Sequence, residues 1–364
     1  MSTLMQASEQ WRSRPADERF VSLTDLDAHL RYVHENCRAS TVSSRALACA
    51  PVEGGSHNAL QVVDQSGDVA NLTHWSFGQL AQRAGAPASY LRDLPAPLAA
   101  DCVNYGLHVS RDLGDLGILR YQNGGPPELR AVTGSGYGRV WNSTISQALV
   151  ARFGDGITGD FRVPGEFGKA VDVTKENTTL YASDRDMFVF LADEQHRIDV
   201  PNRRDGKSGQ MARGFFVWNS EVGASTFGVA TFLFDYVCCN RIVWGAQQHA
   251  EIRIRHTASA PDRWIEEVAP ALEQYARSGT SNIVAAIASA KASKIDKVSD
   301  FLAKRFTKKV AAGVVAAHMA DEQRPIESLW DAATGITAYA RSVPYQDERI
   351  KLEREAGLIL DMAD

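Results

Sequence analysis

Arg213-Gly214-Phe215-Phe216-Val217-Trp218, then Asn219-Ser220-Glu221-Val222-Gly223, then the apolar run from Phe227 to Val237, form the stretch that decides the fold class. Both flanking runs are dominated by aromatic and β-branched residues, which suit a pleated, buried strand. Between them, Asn and Ser side chains bond their own backbone and Gly accepts positive φ, so the segment reads as a turn between two strands. The second run extends to Cys239 but is interrupted by Asp235 and falls well short of the roughly 20 apolar residues needed to span a membrane. Working outward, Thr178 to Tyr181 and Met187 to Ala192 are further β runs upstream, and Ile252 to Ile254 alternates with arginines downstream.

Further from this centre the pattern becomes mixed. Leu116 to Tyr121 and Glu128 to Tyr137 flank Asn123-Gly124-Gly125-Pro126-Pro127, a turn composition between two strands. Asn142 is expected to cap a helix running through Phe153. Near the N-terminus, Leu26, Leu30 and Val33 recur at helical spacing after Thr24, an expected cap, and a hairpin is expected around Ser66-Gly67. Trp75 to Ala84 and Ala88 to Leu94 read as a helical pair separated by Gly85-Ala86-Pro87. From Asp262 onward the periodicity is helical throughout. The expected class is therefore α+β: a mainly antiparallel central sheet with inserted helices, a helical N-terminal segment and a helical C-terminal region. The expected regions are 1–110, 111–260 and 261–364, the last packed with the core.

At 364 residues the chain buries enough surface to fold without disulfides or metal, and its composition is globular. Five cysteines without a C-x-x-C pair suit reduced thiols. The polar N-terminus lacks the apolar stretch of a signal peptide, so the expected location is the cytoplasm, with no membrane partner. A formal charge of −5 restricts any nucleic-acid contact to a local patch.

Three groups of residues carry the chemistry. Asn219, Ser220, Asn240, Arg241 and His256 fall at the ends of neighbouring strands, where polar groups commonly converge into a site, although a plain turn explains the first two as well. Arg130, Tyr137 and Arg139, in a segment containing Gly134, Gly136 and Gly138, could present a basic and aromatic face to phosphates and bases, or form a solvated glycine-rich turn. Lys291, Lys294, Lys297, Lys304, Arg305, Lys308 and Lys309 against Asp296 and Asp300 give a local charge of +5, expected on one amphipathic helix whose apolar side is Ile295, Val298, Leu302 and Phe306. Such a stripe suits a phosphate backbone, and a solvated helix face is the alternative. Zinc spacings, a nucleophile elbow and a Walker lysine do not occur, so neither cofactor nor metal is expected and the reading leans away from an enzyme.

Four stretches in order resemble the family known as domain of unknown function 932. They are Phe77-Gly78-Gln79-Leu80 with Pro87 and Tyr90-Leu91; Leu129-Arg130-Ala131-Val132 with Tyr137-Gly138-Arg139; Trp218-Asn219-Ser220-Glu221-Val222-Gly223; and Cys238-Cys239-Asn240-Arg241-Ile242-Val243 with Arg255-His256-Thr257. Arg241 stands where the family pattern has glycine. The resemblance implies carriage by phages, plasmids or related mobile elements, and no activity. Joined to the lysine stripe, it gives the leading expectation of a nucleic-acid-associated protein that binds single-stranded or partly unpaired DNA without base readout, with annealing as one concrete form. The runner-up is a metal-dependent nuclease or hydrolase using Asp184, Asp186, Asp193 or Glu194 with Asn219 and His256. The third is a non-catalytic regulatory or host-interaction protein, a homo-oligomer assembled through the helical C-terminal region.

Overall fold

In a computed structural model, described for residues 15–109, 114–164, 172–200, 209–235, 241–242, 251–343 and 346–363, the chain builds two separate sheets. It enters as strand β1 (Arg19–Phe20) and helix α1 (Leu23–Glu35), then lays down β2 (Cys37–Ser43), β3 (Ala48–Pro51), β4 (Leu60–Val63) and β5 (Val69–Leu72). Helices α2 (His74–Arg83), α3 (Ala88–Arg92) and α4 (Ala96–Val109) precede β6 (Asp115–Tyr121), β7 (Glu128–Gly134) and α5 (Asn142–Phe153). The remaining strands are β8 (Phe161–Arg162), β9 (Leu180–Ala182), β10 (Met187–Asp193), β11 (Ile198–Val200), β12 (Gly209–Asn219), β13 (Phe227–Asp235), β14 (Arg241–Ile242) and β15 (Glu251–Ile254). Helix α6 (Ala260–Arg263) passes through a π-helical turn, Trp264–Val268, into α7 (Ala269–Arg277). Helices α8 (Ser281–Ala292), α9 (Val298–Ala303), α10 (Lys308–Glu322), α11 (Leu329–Ala340) and α12 (Gln346–Leu360) complete the chain.

The fold is α+β. The first sheet has the order β2-β6-β7-β5-β4-β3, with β5 and β7 parallel and the other pairs antiparallel. In the second, the path β1-β9-β10-β12-β13-β14 carries β8, β11 and β15 beside it, all antiparallel. The hairpin read at Arg213 to Val237 is β12 against β13, in register from Trp218 with Gly228 to Met211 with Asp235. It lies at the centre of the second sheet because the alternation buries both faces: Phe215 and Val217 join one core, Phe216 another.

Sequence regions and structural layers do not coincide. Strands β6 and β7, expected with the central β-rich region, pair in the first sheet, whereas β1 and α1 from the N-terminal region pack on the second. An edge at residue 110 therefore falls inside the first sheet, and the chain changes layers after Gly134. The first core sets Val62, Ile118 and Val132 against Leu80 and Val103 of the helices. The second sets Val189, Phe215 and Phe227 against α1, α5 and α7, and the third gathers α8 to α12 around Trp330.

Neither of two expected caps occupies its cap position. Ser22, not Thr24, caps α1, its side chain accepting from the Asp25 amide at 3.0 Å. Trp141 occupies the cap position of α5 and offers no side-chain bond there. The expected long basic helix is also absent: α8 stops at Ala292, residues 293–297 are not helical, and the basic residues are divided among α8 (Lys291), α10 (Lys308 and Lys309) and the connections between the helices.

Candidate functional site

Two of the sequence groups meet where the sheets adjoin. Strand β7 delivers Arg130, the loop after it delivers Tyr137 and Arg139, the turn after β12 delivers Asn219 to Gly223, and the end of β15 delivers His256. Arg130 does not form an exposed face: it is 6% exposed, and its guanidinium meets Glu221 at 3.3 Å, the Asp184 carbonyl at 2.9 Å and the Cys37 sulfur at 3.4 Å. Burial works against its charge, but Glu221 and Cys37 more than offset this and its pKa is raised.

Glu221 serves two elements at once. Its other oxygen accepts the Asn142 amide at 2.8 Å, placing a carboxylate at the N-terminus of α5, where the helix dipole favours it and the missing side-chain cap is replaced. The turn residues themselves are structural. Ser220 Oγ donates to the Arg185 carbonyl and accepts the Val222 and Ala224 amides, and Gly223 has φ of 82°. Asn219 donates to the Val140 carbonyl and to Asn142. The Val222 carbonyl accepts from Trp75 and Gln79 of α2, tying the first sheet's helix to the second sheet's turn.

Above this junction runs a ladder of rings. His256 stacks on Tyr137 at 4.8 Å, Arg139 lies 5.5 Å from the Tyr137 centroid and 5.6 Å from that of Trp141, and Trp141 stacks on His34 at 3.8 Å. Tyr137 donates its hydroxyl to the Ser220 carbonyl, and burial pushes its pKa up. His256 Nδ1 donates to the Gly138 carbonyl at 3.1 Å, while the Gly138 amide donates back to the His256 carbonyl. A Cβ at Gly138 would lie 1.8 Å from the Thr257 carbonyl oxygen, so only glycine permits this approach. Burial, and secondarily Arg139, lowers the pKa of His256.

The remaining sequence candidates lie elsewhere. Asn240 is outside the described residues, and Arg241 is placed only through its backbone pairing with Phe234. Lys294, Lys297, Lys304 and Lys308 are exposed in the helical C-terminal region, and Lys294 reaches Glu327 at 3.6 Å. The acids of the nuclease reading are divided between the two ends of β10, seven residues or roughly 20 Å apart, too far to share an ion. Asp184 sits beside Arg185 and Asp186 accepts from Ser183; at the far end Asp193 is held by Arg213 and His196, and Glu194 by Arg162. Among the described residues no three His, Cys, Asp or Glu side chains gather as a metal site.

The sequence profile of a family described as Domain of unknown function (DUF932) matches residues 167–354, more than half of the chain. The chain belongs to that family. No curated protein and no solved structure matches it. The DUF932 match takes in the turn at Asn219 to Gly223, His256 and the lysines, and begins after Arg130, Tyr137 and Arg139, so the ring ladder joins DUF932 residues to residues that precede them. Glu221, Trp141 and His34 were not among the residues singled out by sequence; the signal for Glu221 is a single charge between two apolar strands, and the others carry none.

Proposed function

We propose that this DUF932 protein acts in the cytoplasm, in the service of phages, plasmids or related mobile elements, and binds single-stranded or partly unpaired DNA through backbone charge. The observation that carries the reading is the first turn of α10. Lys308 and Lys309 stand there without an acidic residue, so two cations add to the positive end of the helix dipole instead of opposing it. Exposed Lys297 and Lys304 have no carboxylate partner among the described residues and extend the patch. A run of cations placed against the local dipole is explained by a polyanionic partner that neutralises them. With Arg130 buried, stacking of bases on the β7 segment is not part of the proposal.

Fluorescence anisotropy with a labelled single strand at low salt tests this, with binding expected below about 10 μM. Replacing Lys294, Lys297, Lys304 and Lys308 by Gln should make the slope of log affinity against log salt shallower by about 0.7 per residue. An unchanged slope would remove the lysines from the interface.

A further inference from the structure

Between α5 and the π-helical turn that runs into α7 lies an open cleft of about 600 Å³, within the roughly 300–1,000 Å³ typical of small-molecule sites. Its floor is apolar, formed by Leu149, Phe153, Trp264 and Leu272 of the second core. Small residues keep it open: Ala148 and Ala151 on α5 face Ala269 on α7. The π turn helps to shape it. The Ala269 amide donates to the Trp264 carbonyl, five residues back, and Pro270 has no amide to continue an ordinary ladder. A turn of five residues brings Ala269 onto the face that Trp264 occupies, so both line the cleft while Val268 is fully buried. The rim is charged, and unevenly. Glu273 meets Arg152 at 2.7 Å and Arg277 at 2.6 Å, so one carboxylate serves two guanidiniums, and two cations less one anion leave the lining residues at +1. We propose that this cleft binds a small amphipathic anion, an apolar ring or short acyl chain that carries one carboxylate or phosphate group.

Each half of that ligand answers to one part of the lining. An apolar body laid on the floor removes its own surface and that of the floor from water. The acid group, left at the rim, accepts from the guanidinium forks and balances two cations with two anions. A cation would meet the excess charge, and a neutral ligand would leave it uncompensated. Arg152 also lies over the Phe153 ring, 5.2 Å from its centroid, which holds its guanidinium at the edge between floor and rim. The inference does not rest on the DNA reading, whose lysines belong to the helical C-terminal region around the third core.

The test is a titration of the full chain with anilinonaphthalene sulfonate, which joins a flat ring system to one anion and fluoresces when it leaves water. Naphthoate, octanoate, naphthyl phosphate and the neutral naphthalenemethanol then compete for it. One saturable site is expected, with naphthoate displacing the dye at lower concentration than naphthalenemethanol. Arg152→Gln with Arg277→Gln should weaken naphthoate by about tenfold, the effect of losing one charge-assisted hydrogen bond, and leave naphthalenemethanol unchanged. Ala151→Trp, at an exposed helix position that accommodates a larger ring, should fill the cleft and abolish binding of both. The variant with four lysines changed to Gln should bind as the parent does, whatever its behaviour toward DNA. The strongest of the three anionic competitors assigns the ligand to a ring carboxylate, an acyl chain or a phosphate ester. No saturable binding by the parent, undiminished binding in Ala151→Trp, or naphthoate no better than naphthalenemethanol would overturn the proposal. A parent dimer that Ala151→Trp turns into a monomer, with no competitor bound, would give the cleft to a second copy of the chain instead.

Discussion

Arg213 and Glu221 lie eight positions apart on one strand and its turn, both nearly excluded from water at 4% and 3% exposure, and each ends a helix of the sign that suits it. Glu221 faces the N-terminus of α5. Arg213, beyond its pair with Asp193, donates to carbonyls of Tyr275, Ala276 and Ser278 at the C-terminus of α7. Removing one partner of a buried pair leaves the other charge without solvent or counterion, which costs more than the pair contributes. Arg130→Met and Arg213→Met should each lower stability by about 3–5 kcal/mol in urea unfolding, with the double change Arg130→Met, Glu221→Gln recovering part of the first loss. Equal losses in the single and double variants would show that Arg130 and Glu221 do not depend on each other. Sequence revealed Asn219, Ser220 and Gly223 as a turn because that chemistry is local. It did not reveal what Glu221 does, since both its partners are about 80 or more residues away and reach it only through sheet pairing.

Elements were legible where periodicity alone decided them. The β12–β13 hairpin, the α2–α3 pair and the helical C-terminal region stand where alternation and helical spacing put them. The break in the basic helix was not legible, because residues 293–297 contain neither glycine nor proline. Distant backbone imposes it: Lys294 bridges to Ser328, the Ile295 amide donates to the Glu327 carbonyl, and the Leu329 amide donates to the Ser293 carbonyl, a tertiary override of local preference. A second break, at residues 304–307, ends α9 and sets Lys308 and Lys309 at the start of α10, where Thr307 provides the cap. Stability and binding should then respond in opposite directions. Lys308→Glu with Lys309→Glu should raise stability by about 0.3–1 kcal/mol per site by complementing the dipole, while DNA affinity falls. Thermal unfolding beside anisotropy measures both; a variant that is more stable and binds as before would exclude this helix end from the interface.

For the whole molecule, the junction couples the two sheets through neutral groups as well as through the Arg130–Glu221 pair. The chain visits the second sheet, then the first, then returns, so Gln79 of α2 bonds both the Val132 amide of the first sheet and the Val222 carbonyl of the second-sheet turn. Near this seam two histidines have lowered pKa values. Burial lowers the pKa of His29, with Arg130 adding to the effect and Asp17 opposing it, and burial lowers that of His256, with Arg139 adding to it. A group whose folded pKa lies below its unfolded value of 6.5 binds more protons when unfolded. Its contribution is fully present above that value and is lost as pH falls from 6.5 toward the folded pKa. Stability measured by urea unfolding from pH 8 to pH 5, a window above the ordinary carboxylate range, should therefore decline on acidification. His256→Gln retains a donor for the Gly138 carbonyl and cannot take up a proton, so its profile should be flatter than the parent's, and His29→Gln should flatten it further. If the profile of the double variant keeps the parent's slope, the acid sensitivity originates outside these two histidines.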